Sequence, residues 1–389
     1  MRILHTSDWH LGRSFHGTDL LAAQGAFVDH LIETVQTEEV DLVVLSGDVY
    51  DRALPPVDAV ALADEAFTRL AASRARVVII SGNHDSARRL GFSSRLVDAA
   101  GVHLRTDAGR VDEPVLLEDE LGPVAVYGIP YLEPDIVRHA WDLPKRSHQA
   151  ALAEAMRRIR ADLVARPAGT RSVVMAHAFV AGGVASESER DIAVGGISVA
   201  PLELFDGIDY TALGHLHGRA ALTDSVRYAG SPIAYSFSEA GHVKGSWLVD
   251  LDADGLAAAT FCEAPVARAL ACLEGSIDDL LCESGYQVHE DCWVQATLTD
   301  AVRPDRAMER LRTRFPHTVA LRFAPVGGVD VPGRPATCGK SGHEIALDFV
   351  AHVRGAPASA AESELLATAL ECCSEDPDLV VERDAVVRD

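Results

Sequence analysis

Five short clusters of Asp, His and Asn carry the chemistry this sequence offers. They are Asp8-Trp9-His10, Gly47-Asp48-Val49-Tyr50-Asp51, Gly82-Asn83-His84-Asp85, Met175-Ala176-His177 and Gly214-His215-Leu216-His217. Carboxylate, imidazole and amide oxygen are the donors that a hard-to-borderline divalent cation takes. In Asp8-x-His10 and His215-x-His217 the i, i+2 spacing puts both side chains on one side of an extended segment. Gly47, Gly82 and Gly214 let the backbone turn sharply and pass close to an ion or a substrate.

Each fragment also has a plain structural explanation. Asp48 after Gly47 suits a turn. Asn83 and His84 suit the cap of a helix running through Ser86–Leu96, and His177 alone suits a satisfied core histidine. Five such fragments in order, each closing an apolar run, are hard to reconcile with independent accidents. The seven candidate ligands Asp8, His10, Asp48, Asn83, His177, His215 and His217 exceed what one catalytic ion with an open position needs. One carboxylate shared between two ions, with further ligands on each side, leaves both spheres open. Ions about 3.5–4 Å apart can then clamp a phosphoryl group.

The elements that must position these groups are short apolar runs alternating with helical patterns. Arg2–Thr6, Asp41–Ser46 and Val77–Ser81 read as strands, and so do Val124–Ile129, Ser172–Ala176, Tyr210–Leu213 and Trp247–Leu251. Leu20, Leu21, Phe27, Val28, Leu31, Ile32 and Val35 follow helical spacing, and Pro56–Ser73 is a second helix. Strand–helix–strand alternation predicts parallel pairing, with functional residues in the loops at the strand C-terminal ends. After Pro265, strands at Ala267–Leu273, Trp293–Leu298 and Val319–Phe323 alternate with helices at Ile277–Glu283 and Pro304–Arg314. A Pro- and Gly-rich stretch, Pro325–Gly342, reads as a linker. Two helices follow, one with Ile345, Phe349 and Val353 on a face, the other with Leu365, Leu366, Ala369 and Leu370.

The 389 residues carry a formal charge of −23, with lysine only at 145, 244 and 340. That argues against generic electrostatic coating of nucleic acid, but not against a nuclease whose metal ions supply local positive charge. No stretch approaches a membrane span. The N-terminus lacks a secretion signal, so a cytoplasmic protein is the expectation. The seven cysteines, Cys262, Cys272, Cys282, Cys292, Cys338, Cys372 and Cys373, form no C-x-x-C pair, which predicts reduced thiols.

The ordered set D-x-H, G-D-x-x-D, G-N-H-D, H and G-H-x-H resembles the calcineurin-like metallophosphoesterase superfamily. Arg2–Gly12 (RILHTSDWHLG), Gly47–Asp51, Ser81–Ser86 (SGNHDS), Ala212–His217 and Tyr228–Pro232 (YAGSP) are similar to the nuclease subunits of bacterial SbcCD-type complexes, in the double-strand-break repair branch. The resemblance implies an α/β fold: a calcineurin-like core of layered sheets flanked by helices, a small α+β capping domain and a C-terminal helical pair. The implied boundaries are 1–264 for the nuclease domain, 265–326 for the cap, 327–341 for the linker and 342–389 for the partner-docking tail.

It further implies that Asp8, His10, Asp48 and His217 hold one ion, and that Asp48, Asn83, His177 and His215 hold the other. Manganese is the expected metal. His84 would be catalytic, facing the scissile phosphate. Some family members carry a further histidine near position 51; here Asp51 stands, and orienting or capping roles are open for it, as they are for Asp85. The implied reaction is in-line hydrolysis of DNA phosphodiesters at duplex ends and hairpins.

Arg13, Arg88 and Arg89 are candidate DNA contacts, with Arg190, Arg227, Lys244 and the Gly230-Ser231 turn as weaker ones. No G-x-x-x-x-G-K-[ST] loop occurs, so ATP hydrolysis would come from an SbcC-type coiled-coil ATPase docked on the tail helices. A homodimer within a heterotetramer is implied, and Phe27 and Leu31 are weighed as its surface against ordinary core burial. The alternatives are a phosphatase or cyclic-nucleotide phosphodiesterase with the same centre, or a scaffold without activity, which predicts lost ligands.

Overall fold

The computed structural model describes residues 1–189, 199–325 and 340–374. The chain divides into two compact units, Met1–Thr297 with Asp305–Arg322, and Leu298–Pro304 with Phe323–Asp389.

Two six-stranded sheets form the body of the first unit. One runs, in spatial order, Gly255–Glu263, Gly245–Asp252, Arg2–Thr6, Leu42–Ser46, Arg76–Ile80, Val102–Arg105. The other runs Ala220–Ala221, Val226–Tyr228, Tyr210–Gly214, Arg171–His177, Gly122–Ile129, Val115–Asp119. Arg2–Thr6, Leu42–Ser46, Arg76–Ile80 and Val102–Arg105 pair in parallel, and so do Gly122–Ile129, Arg171–His177, Tyr210–Gly214 and Val226–Tyr228. The strand at 245–252 departs from the expected parallel pairing. It lies antiparallel to Arg2–Thr6 and forms a hairpin with Gly255–Glu263. A connection as short as that hairpin's cannot make the crossover that parallel neighbours require.

The runs are apolar throughout because the inner strands are buried on both faces. Ile3, Leu42, Val44, Val78 and Ile80 of one sheet interleave with Val124, Val126, Val173, Met175, Tyr210 and Ala212 of the other. The alternate residues Leu4, Val43, Leu45, Val77 and Ile79 face outward onto Phe27, Leu31 and Val35 of the helix Leu21–Thr37, and onto Ala63, Ala66 and Leu70 of Val57–Ala71. Beyond the second sheet, Ala125, Tyr127, Val174 and Ala176 pack on Leu152, Ala155, Met156 and Ile159 of His148–Val164. The result is a four-layer helix–sheet–sheet–helix sandwich. Phe27 and Leu31 are therefore core residues, 2% and 1% exposed, and not a dimer surface.

The helix expected over Ser86–Leu96 is broken. Short turns at Ala87–Leu90 and Ser94–Val97 flank Ser93, whose φ of 62° lies in the left-handed region and ends the helical path.

A three-stranded sheet, Leu270–Gly275, Trp293–Leu298 and Thr318–Phe323, follows with helices Ile277–Cys282 and Ala307–Arg312. Leu270, Trp293, Val319 and Ala320 pack against a cluster of Phe15, Leu20, Tyr235 and Phe237.

In the second unit, Gly342–Arg354 begins at a capping box between Ser341 and Glu344 and ends at Gly355, whose φ is 72°. Ala360–Ser374 follows. Arg354 pairs with Glu362 at 2.8 Å and His343 bonds Ser363 at 3.1 Å. Nothing in Gly342–Arg354 is buried, and Phe349, Val353 and Leu365 are largely exposed. Most of the expected linker, with Cys338, lies outside the described residues, as does the chain after residue 374. Among the described residues, no helix is long and apolar enough to cross a membrane.

Candidate metal centre

The carboxyl ends of both sheets meet, and all seven candidate ligands meet with them. The loop after Arg2–Thr6 pairs with the loop after Leu42–Ser46: the Asp8 amide donates to Gly47 O at 3.0 Å and the His10 amide to Asp48 O at 3.0 Å. Across the sheets, the Ser46 hydroxyl donates to Ala212 O at 2.9 Å. The His215 amide lies 3.1 Å from both Asp8 carboxylate oxygens. Ligand atoms of Asp8, His10 and His217 lie within 4.8 Å of one another, and so do those of Asp8, Asp48 and His177. Asp48 Oδ2 stands in the middle, 3.6 Å from His10 Nε2 and 3.5 Å from His177 Nε2. Asn83 Oδ1 lies 2.9 Å from His177 Nε2 and 3.2 Å from His215 Nδ1.

The backbone is held out of its ordinary range to achieve this. Asp8, His10, Asp48 and His215 have φ of 54°, 45°, 50° and 106°. Non-glycine residues there cost roughly 1–3 kcal/mol each and persist where surrounding structure dictates them. Two glycines admit the crowding. A Cβ at Gly214 would lie 1.9 Å from Ser46 O, and one at Gly82 would lie 2.1 Å from Asp48 Oδ1.

Electron pairs without protons converge here, as a cation requires. His177 Nδ1 lies 2.9 Å from Ser46 O, an acceptor, so it carries the ring proton. Burial pushes His177 down to about 3, so the ring is neutral and Nε2 is bare toward Asp48 and Asn83. His10 and His215 are pushed well below their ordinary value, chiefly by burial. Burial raises the Asp8 carboxyl to about 7, opposed by His217 and by the Ser7 hydroxyl. His10 Nε2 lies 3.0 Å from His217 Nε2, and His10 Nδ1 is buried without a partner. Two imidazole nitrogens this close could both serve one divalent ion. These residues fit divalent ions, whose charge offsets the cost of burying carboxylates.

Around them sit supporting groups, among them Gln24, Ser188, Glu189 and Glu239, which the sequence does not single out. His84 Nδ1 lies 2.6 Å from Asp51 O, so that nitrogen donates and Nε2 is the ring's other face. The His84 amide donates to Asp48 Oδ1 at 2.8 Å, and its ring stands edge-on to His10 at 4.6 Å. Asp85 accepts from the amides of Gly82, Val49 and Tyr50 at 2.9–3.1 Å and ties two loops together. Gln24 donates to His10 O at 2.7 Å. Ser188, Glu189, Glu239 and Lys244 surround His217.

The candidate cations separate. Arg13 lies over the Tyr235 ring at 5.0 Å and donates to Ser188 O at 2.8 Å, with Nη1 buried and unpaired. Arg88 and Arg89 are exposed on the turn after His84, and Arg89 donates to Ala53 O. Lys244 is buried and bonded, Arg227 stacks on Trp247 at 4.6 Å, and Ser231 is buried under Lys244. Lys244 and Ser231 are thus enclosed, while Arg227 is half-buried. Arg190 lies outside the described residues.

Residues 1–219 match the calcineurin-like phosphoesterase family, and residues 266–333 match the type 5 capsule protein repressor C-terminal domain, SbcD_C. Among solved structures, an archaeal phosphodiesterase is 13% identical, covering 67% of this chain and 100% of its own, with a TM-score of 0.31. GAP50, the anchor in the inner membrane complex of Plasmodium, is 10% identical, covering 85% of this chain and 98% of its own, with a TM-score of 0.40. Likenesses this distant carry no weight here. The match over more than half the chain does, and the second domain narrows it: the chain belongs to the calcineurin-like phosphoesterases, in the form that carries an SbcD-type C-terminal domain.

Proposed function

We propose that this chain is a two-metal DNA phosphodiester hydrolase, the exo/endonuclease subunit of an SbcCD-type ATP-dependent complex that acts on duplex ends and hairpins in repair and recombination. The observation that carries the reading is three overlapping groups of ligand atoms (Asp8, His10 and His217; His10, Asp48 and His84; Asp8, Asp48 and His177), with Asp48 Oδ2 between His10 and His177, in a chain with an SbcD-type second domain. Asp8, His10, Asp48 and His217 would hold one ion, and Asp48, Asn83, His177 and His215 the other, with manganese the expected metal. Bound there, divalent ions would polarise phosphoryl oxygens and lower the pKa of water. His84 is assigned to the scissile phosphate: its Nδ1 bond to Asp51 O orients the ring and turns Nε2 toward the substrate, where the imidazolium form, protonated at both nitrogens, would donate to an oxygen at which charge develops. Asp51 then acts through its backbone carbonyl.

Arg13, Arg88 and Arg89 are the assigned phosphate contacts. Arg13 is pre-oriented by Ser188 and Tyr235. Phe27 and Leu31 are buried, so a homodimer would form through other surfaces. Phe349, Val353 and Leu365 are assigned to the SbcC-type ATPase partner, following the helix-in-groove mode. In this reading 1–264 is the hydrolase, 265–326 the cap, 327–341 the linker and 342–389 the docking tail.

A phosphatase or cyclic-nucleotide phosphodiesterase would use the same centre. Incubation of end-labelled linear and hairpin duplexes with manganese, with and without the ATPase subunit, separates them. Degradation of the duplexes supports the nuclease. Hydrolysis of small phosphoesters with intact duplexes would replace it with the alternative.

A further inference from the structure

His217 rests on a buried chain of polar groups that has no role in the reading above. Ser188 Oγ lies 2.5 Å from His217 Nδ1 and also bonds Glu239 Oε1. Glu239 Oε1 itself lies 3.4 Å from Nδ1. The other carboxylate oxygen, Oε2, accepts from Lys244 Nζ at 2.5 Å. That ammonium also donates to His217 O at 2.8 Å and to Ser231 Oγ at 2.9 Å. Glu239 is 1% exposed and Lys244 7%.

The direction of each proton follows from the chemistry. The single Ser188 hydroxyl proton has Glu239 Oε1, His217 Nδ1 and Ser186 Oγ, at 2.9 Å, within reach; the charged carboxylate, which only accepts and lies nearest, takes it. The serine oxygen is then left as an acceptor toward His217, so Nδ1 carries the imidazole proton. Nε2 is bare and faces His10 Nε2 at 3.0 Å. Lys244 keeps Glu239 ionised at a depth where an unpaired carboxylate is costly. It also clamps the backbone of the residue whose ring is being set. A lysine here is informative, because the chain has only three among 35 basic residues. Three acceptors spread around one point suit a compact ammonium with rotatable donors, and not the planar fork of arginine.

We infer that Glu239, acting through Ser188 and balanced by Lys244, is a positioning residue that sets the tautomer of His217 and presents its Nε2 to a metal ion. Its value for metal binding rests on the two-metal reading; the tautomer itself does not. Buried supporting partners of this kind typically change metal affinity by about 10- to 100-fold when removed.

The test uses the full chain with isotope-labelled histidine. In metal-free protein, long-range nitrogen–proton spectra should show His217 protonated at Nδ1, its signals being those lost in His217→Gln. In Glu239→Gln an amide can donate to Ser188, which turns the hydroxyl toward Nδ1. The ring should then move to the Nε2-protonated form, and manganese affinity by calorimetry should fall about 10- to 100-fold. Should Glu239→Gln fail to fold, the pair Glu239→Gln with Lys244→Met removes both charges together and is read in the same way. An Nε2-protonated His217 in the wild type, or an unchanged tautomer in a folded variant, overturns the inference. A wild-type protein that binds no manganese overturns the two-metal reading instead, and the metal-free spectra still decide the role of Glu239.

Discussion

The ligand cluster and the tail helices are built on opposite terms. Around Asp48, groups separated by as many as 207 positions are buried, cross-bonded and partly held at left-handed φ. In Gly342–Arg354 nothing is buried, and the helix is secured by its own caps and by exposed ion pairs. The first region spends folding energy to hold a geometry, as pre-organised sites do. The second leaves apolar side chains uncovered, as a segment completed by a partner does. The first should fail through chemistry when altered and the second through association.

The harshest break in that contrast is Asp48→Ala. It removes the group between His10 and His177 and the acceptor of the His84 amide. Manganese content by elemental analysis should drop at both positions, and duplex cleavage should fall by ~100-fold or more. Loss of one ion only would remove Asp48 from its bridging role. Next is His84→Ala. Cleavage should fall about 10²- to 10⁴-fold with manganese content near normal; a matching loss of metal would reassign His84 as a ligand.

Changes in the tail should read differently. Phe349→Glu with Leu365→Glu should weaken binding of the coiled-coil ATPase by about tenfold or more, as measured by titration calorimetry. The melting temperature and cleavage by the isolated chain should stay put. A drop in melting temperature would mean those side chains stabilise the chain itself.

Smaller effects sharpen the comparison by charge. Asp119 meets Arg171, which is 2% exposed, and the N-terminal ammonium at 2.8 Å. The Arg171 guanidinium, chief among these partners, holds the Asp119 carboxyl well below its usual range, with burial opposing. A carboxyl depressed in the native state contributes stability above its unfolded pKa of about 3.9, and loses it as pH falls through the native value. Asp119→Asn should therefore cost roughly 1–3 kcal/mol in urea unfolding at pH 7. The gap to wild type should close in strong acid. Arg354→Ala, which removes the exposed pair with Glu362, should leave melting unchanged at any salt concentration.

Much of the candidate centre was legible because strand ends announce themselves. Asp8, Asp48, Asn83, His177 and His215 each follow a run whose β-branched and aliphatic residues are buried on both faces, and ligand-type residues there have few other uses. The supporting groups were not legible. Ser188, Glu239 and Lys244 lie in irregular segments with no period to betray them, and their contacts cross tens of positions. The positive charge of Lys244 suggests a weak DNA contact, and nothing in the sequence distinguishes that from a buried ammonium. The helix expected after His84 failed at Ser93, where a local turn overrode an acceptable helical pattern.

Taken by itself, the order of residues determined which strands are buried on both sides and which donor types close them, because period and residue chemistry are local properties. Only the tertiary structure decided that two sheets stack with their carboxyl ends together, that His215 reaches Asp8, and that a glutamate and a lysine stand behind His217. Those outcomes depend on packing between segments far apart in the chain, and such packing is settled by which buried faces fit each other.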